Sequence, residues 1–435
     1  MRQLYLAATG MNRGKTTVSL GLLAALIDRG LDTGFIKPVG QRYAVVDDVP
    51  ADEDAILMKT VFDLPDPLGV MSPVHIPRGF TKSYISGAVT DDLPARIRHG
   101  HAEVARGRDV LLIEGTGHAG VGAVIDLSNA DVARMLGAPA VIVSEAGVGR
   151  PIDEIVLNHA LFTRHGVQVV GAVINKVDAD AHPTLPGILR AGLARHGIEL
   201  LGMLPYRPLL SNPTLSMLVE QMPGEVLHPG ADLDRVIDHV AIGAMQPRHL
   251  LERIGPGSLL IVPGDREDVI QATVAANRTA RTLHTDPGLF GRLRNRSRFG
   301  RRADDAGRTE LAGMLFTGGY RPRPRDLEAI RSGDLFAHLV EEDTYAAASR
   351  VHDLLVKIHA ADTAKIALIK ALVAEHLDLD RILEAFQRPN DVLVSRAQAG
   401  RVPAERGRAA RAGSSALDVV RQRVRRTLGA SYRRR

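Results

Sequence analysis

Cysteine is absent from this chain of 435 residues. Disulfide bonds, thiolate metal ligands and cysteine nucleophiles are therefore excluded. The sequence also lacks any apolar run that approaches the roughly 20 residues a membrane-spanning helix needs. Its first residues do not have the basic and then long apolar form of a signal peptide. These absences favour a cytoplasmic protein without a membrane partner.

The composition is that of a globular protein, with 45% hydrophobic and 24% charged residues. A chain of this length exceeds one ordinary hydrophobic core, so we expect at least two domains. The net charge of +5 is unevenly distributed. Residues 388–435 contain 13 Arg and 3 acidic residues, a charge of +10, which leaves 42 basic and 47 acidic residues, a charge of −5, elsewhere. The high isoelectric point is therefore a property of the C-terminal region.

A loop between two glycines near the N-terminus carries the strongest functional signal. The apolar run Leu4–Ala8 leads into Thr9-Gly-Met-Asn-Arg-Gly-Lys-Thr-Thr17, and an apolar-periodic helix follows. This order is typical of a Walker A loop, in which backbone amides and a helix N-terminus hold phosphates. Lys15 would add a positive charge, and the Thr16 hydroxyl could bind Mg²⁺. The predicted nucleotide contacts are Gly10, Met11, Asn12, Arg13, Gly14, Lys15, Thr16 and Thr17.

The spacing of this loop is irregular, because the usual first glycine falls at Thr9 and Gly10 comes one residue late. The alternative interpretation is a plain glycine turn between a strand and a helix, with Lys15 exposed. The strand–loop–helix context favours the phosphate-binding interpretation.

Residues 1–205 alternate short apolar runs with helical patterns, which predicts a parallel sheet wrapped by helices. Ligands of such sheets gather at the carboxyl ends of the strands, so polar residues there are candidate site residues. The candidate strands are Gln3–Ala7, Thr33–Lys37, Asp109–Glu114, Ala138–Ser144, Val167–Ile174 and Glu199–Leu204.

Two charged residues end such strands. Lys37 stands between an apolar strand and Pro38, where a second cation would neutralise charge that develops during phosphoryl transfer. Glu114 closes the run Val110–Ile113 before a glycine-rich loop, which is a Walker B-like position for a magnesium ligand. The alternatives are a lysine that extends to solvent from a strand end and a solvated glutamate. The preceding phosphate loop favours the functional interpretation of Glu114.

Asp52 and Asp54 open a predicted helix, and the sequence leaves their roles open. Either could cap the helix, and Asp54 could instead bind Mg²⁺, which with a nucleotide uses one or two carboxylates and water. Further along, Asn175-Lys-Val-Asp178 ends a strand and is similar to a base-recognition motif of P-loop proteins. Asparagine suits adenine, whereas aspartate is the guanine-binding residue of GTPases. ATP and GTP therefore both remain candidates.

Residues 1–215 resemble the dethiobiotin-synthetase-like P-loop family, and most closely the N-terminal region of long bacterial phosphotransacetylases. The resemblance rests on Thr9–Thr17, Phe35–Val39, Asp54-Ala55, Ser72–Val74, Glu114–Gly117, Asn175 and Leu201–Pro205. It implies a P-loop α/β fold that binds ATP and Mg²⁺. It further implies that Lys15 and Lys37 surround the phosphates, that Thr16, Asp54 and Glu114 hold Mg²⁺, and that Asn175 contacts adenine. We add Pro205, at the same edge, to the predicted cofactor contacts.

The second half predicts a smaller α/β domain in residues 216–390, because three apolar strands each lead into a polar loop and a helix. The three loops resemble those of the DRTGG domain, although Phe316 precedes Thr317-Gly-Gly319, so the Asp-Arg pair of that name is absent. We interpret them as a small-ligand or dimer surface, and the alternative is that they only turn the chain. Residues 364–387 are predicted helices that close this domain.

Two basic segments complete the predicted organisation. Residues 285–308 are an Arg-rich surface insertion in the second domain. Residues 391–435 are an Arg-, Ala- and Gly-rich tail, a composition typical of disorder. The tail could bind nucleic acid through its charge, but it has few aromatic residues to stack on bases, so nucleic acid is a weak candidate partner.

Three functions stay open at this point. The first is an ATP- and Mg²⁺-binding regulatory ATPase whose second domain senses a small molecule. The second is an ATP-dependent ligase of the dethiobiotin synthetase type, in which Lys15 and Lys37 stabilise transfer of phosphate to a carboxylate or carbamate. The third is a nucleic-acid-associated ATPase that uses the tail. The resemblance suggests a homodimer, and the 45 residues after the second domain are too few for an acetyltransferase domain.

Overall fold

The structure is a computed structural model that describes residues 2–285, 310–354 and 356–385. The predicted Arg-rich tail lies outside these residues, as does the basic insertion after its first residue. None of the described helices is long and apolar enough to cross a membrane.

The first 205 residues build a sheet at the centre of the first core. The strands of this region are β1 (Arg2–Ala8), β2 (Thr33–Ile36), β3 (Val39–Gly40), β4 (Tyr43–Val46), β5 (Val49–Asp52), β6 (Val74–His75), β7 (Val110–Glu114), β8 (Ala140–Glu145), β9 (Val169–Val177) and β10 (Leu200–Pro205). Six of them form a parallel sheet in the order β10-β9-β8-β1-β7-β2. Each predicted strand supplies one strand of this sheet, so the predicted parallel sheet is confirmed.

Register places the ends of these strands side by side. Leu6 of β1 pairs with Glu114 of β7, and Glu145 of β8 pairs with Asn175 of β9. The continuous apolar runs predict strands that are covered on both faces, and every residue of β7 is indeed buried. Two short ribbons lie beside the main sheet, the parallel pair β3–β6 and the antiparallel hairpin β4–β5.

Helices connect and cover the strands of the first sheet. They are α1 (Lys15–Asp28), α2 (Glu53–Phe62), α3 (Leu68–Met71), α4 (Phe80–Ile85), α5 (Leu93–Ala105), α6 (Asn129–Met135), α7 (Arg150–Arg164), α8 (Leu185–Ala194) and α9 (Pro208–Ser211), with a 3₁₀ turn at Ala123–Ile125. Local sequence sets several of their starts. Asp52 caps α2 by accepting from the Asp54 amide at 3.0 Å, and Ser128 with Asp131 forms a capping box at α6.

A second, smaller sheet follows. Its strands are β11 (Glu225–His228), β12 (His239–Ile242), β13 (Ser258–Pro263), β14 (Gly313–Thr317) and β15 (Phe336–Leu339), and its helices are α10 (Leu215–Gln221), α11 (Pro247–Leu251), α12 (Glu267–Thr285), α13 (Pro324–Ser332) and α14 (Thr344–His352). The strand order is β11-β15-β14-β13-β12, with β11 antiparallel and the other pairs parallel. The predicted second α/β domain is therefore confirmed.

Alternate residues of these strands face two separate cores, as the pleat of a strand requires. Leu260 and Val262 of β13 belong to one core, and Leu259 and Ile261 belong to the other. The sheet is thus covered on both faces. Strands β11 and β12 were not predicted from the sequence. Each has only four residues and lies at an edge of the sheet, where several of its side chains are exposed.

The chain then returns to the first core through α15 (Thr363–His376) and α16 (Leu379–Ala385). Ile369 and Val373 of α15 are buried in the first core. A Cβ at Gly21 of α1 would lie 2.2 Å from Val373 Cγ2, so the two helices approach closely there. We predicted that residues 364–387 close the second domain, and that prediction was wrong. Their apolar periodicity indicates a helix, but it does not indicate which core the helix completes.

Candidate nucleotide-binding site

The predicted phosphate loop connects β1 to α1 and has a left-handed backbone at two positions. Asn12 has a φ of 57° and Gly14 has a φ of 91°. A Cβ at Gly14 would lie 2.0 Å from the Asn175 amide nitrogen. Glycine is thus required at Gly14 by conformation and by space. Gly10 does not have a positive φ. Its irregular position in the motif is therefore compatible with the backbone of the loop.

Lys15, the first residue of α1, is buried with only 9% of its surface exposed. Burial, and next the positive charge of Lys37, lowers the pKa of Lys15 to about 8. Among the described residues no carboxylate forms an ion pair with its Nζ. Its charge is therefore not neutralised by a direct partner, as a phosphate-binding lysine requires. The alternative of an exposed lysine beside a glycine turn is wrong.

Lys37, directly after β2, is almost completely buried and lies between two carboxylates. Its Nζ is 2.5 Å from Asp54 Oδ2 and 2.9 Å from Glu114 Oε1. Burial opposes the charged form of Lys37, but Asp54 and Glu114 outweigh that effect and hold its pKa well above the usual value. The alternative of a lysine that extends to solvent is therefore wrong.

The three predicted magnesium ligands come together around this lysine. The Thr16 hydroxyl lies 3.0 Å from Asp54 Oδ1 and 3.4 Å from Glu114 Oε1. Glu114 is completely buried, and its Oε2 has no hydrogen bond of acceptable geometry among the described residues. Two carboxylates and a hydroxyl are hard oxygen donors that suit Mg²⁺.

No group of three or more His, Cys, Asp or Glu side chains in the described part of the chain could hold a metal by itself. A magnesium ion at Thr16, Asp54 and Glu114 would therefore need further oxygen donors from phosphate or water. That requirement matches the usual way in which Mg²⁺ is held beside a nucleotide. The donor set fits a metal–nucleotide complex better than a free metal ion.

The pKa values of the three carboxyl groups, Glu114, Asp54 and Asp52, are shifted in different directions. Burial raises the pKa of Glu114 to about 7, against the opposing attraction of Lys37. Burial also acts to raise the pKa of Asp54, but Lys37 overcomes it and lowers this pKa to about 2. Burial raises the pKa of Asp52 to about 6. The sequence left open which aspartate caps α2 and which contacts the other site residues. In the structure Asp52 is the helix cap, and Asp54 is the aspartate that contacts Thr16 and Lys37.

Asn175 contacts the phosphate loop through its side chain. Its Nδ2 donates to the Arg13 carbonyl at 3.3 Å, and its Oδ1 accepts from the Lys176 amide at 2.9 Å. Lys176 Nζ in turn lies 2.6 Å from Glu145 Oε1. The motif that we interpreted as base-binding therefore also fixes the shape of the loop. The role of Asn175 toward adenine stays a prediction.

A cavity of about 590 Å³ opens above this cluster. Its lining includes most of the predicted site residues, namely Met11, Asn12, Gly14, Lys15, Thr16, Thr17, Lys37, Asp54, Glu114, Asn175 and Pro205. Gly10 and Arg13 are not in the lining. The Arg13 guanidinium instead pairs with Glu145 and lies 3.7 Å from Glu154. The charge of Arg13 is thus already paired outside the cavity, and the contact of this loop residue with the nucleotide stays a prediction.

Two positioning residues were missed in the sequence. Asn129 of α6 accepts from the Thr116 amide at 3.0 Å and donates to the Thr116 and His118 carbonyls. Asn158 of α7 accepts from the Ala119 amide at 2.6 Å. These buried amides hold the loop after Glu114. Ser128-x-x-Asp131 gives a visible signal for the start of α6, but nothing in the sequence links either asparagine to that loop.

A wall of the cavity that the sequence did not predict comes from residues after the second domain. We call residues 356–360 the connector, and all five of them line the cavity. Lys357 Nζ of the connector lies 3.1 Å from Glu53 Oε1, next to Asp54. The cavity is therefore formed by the first domain together with a segment about 340 residues away from the phosphate loop in the sequence.

Comparison with known proteins agrees with this architecture. Residues 2–214 match the AAA domain family, and residues 217–354 match the DRTGG domain family. The chain joins an AAA domain to a DRTGG domain. The predicted resemblance is thus confirmed, and the connector begins directly after the DRTGG domain.

Curated relatives of this AAA–DRTGG protein are enzymes of two kinds. The phosphate acetyltransferase of Pseudomonas aeruginosa is 24% identical over 415 residues, which cover 91% of this chain and 53% of the enzyme. The ATP-dependent dethiobiotin synthetase of Nitrosopumilus maritimus is 22% identical over 222 residues, which cover 51% of this chain and 96% of the synthetase. The chain spans about half the length of the acetyltransferases that it matches.

Among solved structures, the MinC:MinD cell division complex of Aquifex aeolicus is 14% identical, with a TM-score of 0.31. The match covers 51% of this chain and 90% of that chain.

Proposed function

We propose that this AAA–DRTGG protein binds ATP with Mg²⁺ and acts as a regulatory ATPase whose second domain senses a small molecule. The single observation that carries the proposal is the buried cluster beside the phosphate loop. Lys37 lies between Asp54 and Glu114 there, and Lys15 adds a buried cation that has no carboxylate ion pair within residues 2–285, 310–354 and 356–385. A bound triphosphate would supply the negatively charged partner of Lys15.

Each residue of the cluster has a defined task in this proposal. Lys15 and the N-terminus of α1 bind phosphate oxygens. Thr16, Asp54 and Glu114 would hold Mg²⁺, which supplies charge neutralisation of the phosphates when bound. Lys37 would then be shared between the carboxylates and the terminal phosphate. Asn175 keeps the phosphate loop in shape through the Arg13 carbonyl.

The experiment is calorimetric titration of the full chain with ATP, GTP and ADP, each with and without Mg²⁺. We expect binding that requires Mg²⁺ and falls at least a hundredfold in Lys15→Ala, because a charge-assisted contact to phosphate is lost in a buried site. Lys82→Ala is the matched control, since Lys82 is exposed and lies outside the cavity. Unchanged ATP affinity in Lys15→Ala would refute the proposal.

A second candidate is an ATP-dependent ligase of the dethiobiotin synthetase type. The observation in its favour is the pair of buried lysines, Lys15 and Lys37, since two cations near one phosphoryl group stabilise its transfer. Release of ADP separates the candidates. A regulatory ATPase gives slow release with Mg·ATP alone, whereas a ligase gives rapid release only when a diamine or a carboxylate is added.

We also propose that the protein acts as a homodimer, which light scattering of the full chain would test. The third hypothesis, binding of nucleic acid through residues 391–435, falls outside the described residues. Removal of those residues should abolish salt-dependent DNA binding if that hypothesis holds.

A further inference from the structure

The connector is a part of the cavity wall that lies outside the phosphate loop. In the proposed function the phosphates bind to Lys15, Thr16 and the N-terminus of α1. Val356, Lys357 and Ile358 of the connector line the same cavity and are half-buried. The cavity volume of about 590 Å³ lies within the range of about 300–1,000 Å³ that is usual for small-molecule sites. It therefore has room for more than a triphosphate.

The connector is held in place on the first domain. Lys357 Nζ pairs with Glu53 at the start of α2, and Ile358 and Ala360 pack against the first core. The next helix, α15, packs on α1, and its Leu372 also lines the cavity. The connector is thus part of a fixed wall above the phosphate-binding helix.

The wall contains both apolar and basic side chains. Val356, Ile358 and Leu372 are apolar, as are Leu204 and Pro205 of β10 in the same cavity. The basic residues are Lys357, which is paired with Glu53, and His359, which is exposed. The strand β10 is paired with β9, which carries Asn175, and the Asp378 amide donates to the Leu201 carbonyl of β10 at 2.8 Å. Apolar side chains suit the two flat faces of a base, and they offer nothing to phosphate.

We propose that the connector forms one wall of the nucleoside-binding part of this site, with Ile358 and Val356 as specificity-determining contacts to a purine nucleoside. The inference rests on the proposed function, since it concerns the same nucleotide. It adds that the bound nucleotide touches a segment that comes directly after the DRTGG domain, which the AAA domain alone does not contain.

The test compares two probes on the full chain by calorimetry, Mg·ATP and Mg·tripolyphosphate. Tripolyphosphate has the phosphates but no nucleoside. In Ile358→Ala we expect about tenfold weaker binding of Mg·ATP, from the loss of a few buried methyl and methylene contacts, and no change for tripolyphosphate. Lys15→Ala should weaken binding of both probes. Ile85→Ala is the matched control, because Ile85 is 69% exposed and lies outside the cavity.

Thermal unfolding checks that each variant folds, and Val356→Ala replaces Ile358→Ala if the latter does not. Unchanged affinity for Mg·ATP in a folded connector variant overturns the inference. An equal loss of both probes also overturns it, because the connector would then act on the phosphates. If the wild-type chain binds both probes equally, the inference fails while the phosphate site stands. If it binds neither probe, the proposed function and this inference fail together.

Discussion

The parallel strands of the two sheets end in loops of similar composition but different electrostatics. Near the carboxyl ends of β1, β2 and β7, the buried Lys37 lies within 3 Å of two carboxylates, the buried Glu114 and the half-buried Asp54. At the ends of β14 and β15, the loops are joined mainly by backbone bonds, such as the Gly318 amide to the Glu342 carbonyl at 2.7 Å. The Thr317 and Thr344 hydroxyls lie 2.8 Å apart.

The charged groups near the second set of loops are largely exposed. Arg323 pairs with Glu267 at 2.6 Å with 63% of its side chain exposed, and Arg325 contacts the same glutamate. Exposed pairs of this kind contribute little to stability and are screened by salt. The comparison teaches that a glycine-rich loop at a strand end does not by itself make a charged site. Burial of charge around the first loop is what separates the two regions.

The largest expected effect comes from removing the shared cation of the first region. Lys37→Ala leaves Asp54 and Glu114 facing each other with no cation between them, so we expect a loss of about 3 kcal/mol in the free energy of unfolding. Urea denaturation measures it, with Lys82→Ala as the control. A loss below about 1 kcal/mol would show that the first region is no more dependent on charge pairing than the second.

The second prediction concerns pH. Burial raises the pKa of Glu114 from its ordinary value of 4.5 to about 7 in the folded chain, so the folded state holds this proton more tightly than the unfolded state. Its contribution to stability is complete below about pH 4.5 and is lost as the pH rises through 7, by roughly 3 kcal/mol.

Denaturation of wild type and of Glu114→Gln across pH 5 to 8 measures this contribution. The variant should lose less stability than wild type over that range. Equal slopes would contradict the assignment.

The third prediction compares one glycine from each region. Gly14→Ala places a side chain at a φ of 91° and against the Asn175 amide, whereas Gly318→Ala has a φ of 76° and meets only the exposed Tyr320 ring at 2.9 Å. We expect Gly14→Ala to lower the free energy of unfolding by about 1 kcal/mol more than Gly318→Ala does. Gly14→Ala should also lose ATP binding. Calorimetry should find ATP binding intact in Gly318→Ala.

The smallest effect is expected at the second set of loops. Arg325→Ala removes an exposed ion pair to Glu267, so the free energy of unfolding should fall by less than about 0.5 kcal/mol. The affinity for Mg·ATP should not change. A larger effect on either quantity would mean that the charges of the second region are coupled to the cavity.

The sequence predicts the parts of this molecule that depend on local pattern. Continuous apolar runs such as Val110–Ile113 identify the buried strands, and the run around Lys15 identifies the phosphate loop. The sequence does not predict which of Asp52 and Asp54 caps α2 and which belongs to the candidate metal site. Aspartate is favoured both as a helix cap and as a metal ligand. The hairpin β4–β5 was missed since its first strand is largely exposed and gives no buried pattern.

Long-range packing explains the other misses. Asn129 and Asn158 support a loop that lies about 10 to 40 residues earlier in the sequence. The connector lines a cavity of the first domain although it follows the DRTGG domain in the sequence. Apolar periodicity gives the face that a helix buries, but it does not give the partner of that face. For this reason α15 was predicted as a helix and assigned to the wrong core.

The packing of α15 on α1 has a consequence for how the protein is made. The first core needs Ile369 and Val373, so during synthesis it stays incomplete until the whole DRTGG domain has been translated and the following helix has emerged. A fragment that stops near residue 215 would expose the apolar surface that these side chains cover, and exposed surface of this kind leads to aggregation. The core of the first domain is therefore completed only after the DRTGG domain has been translated.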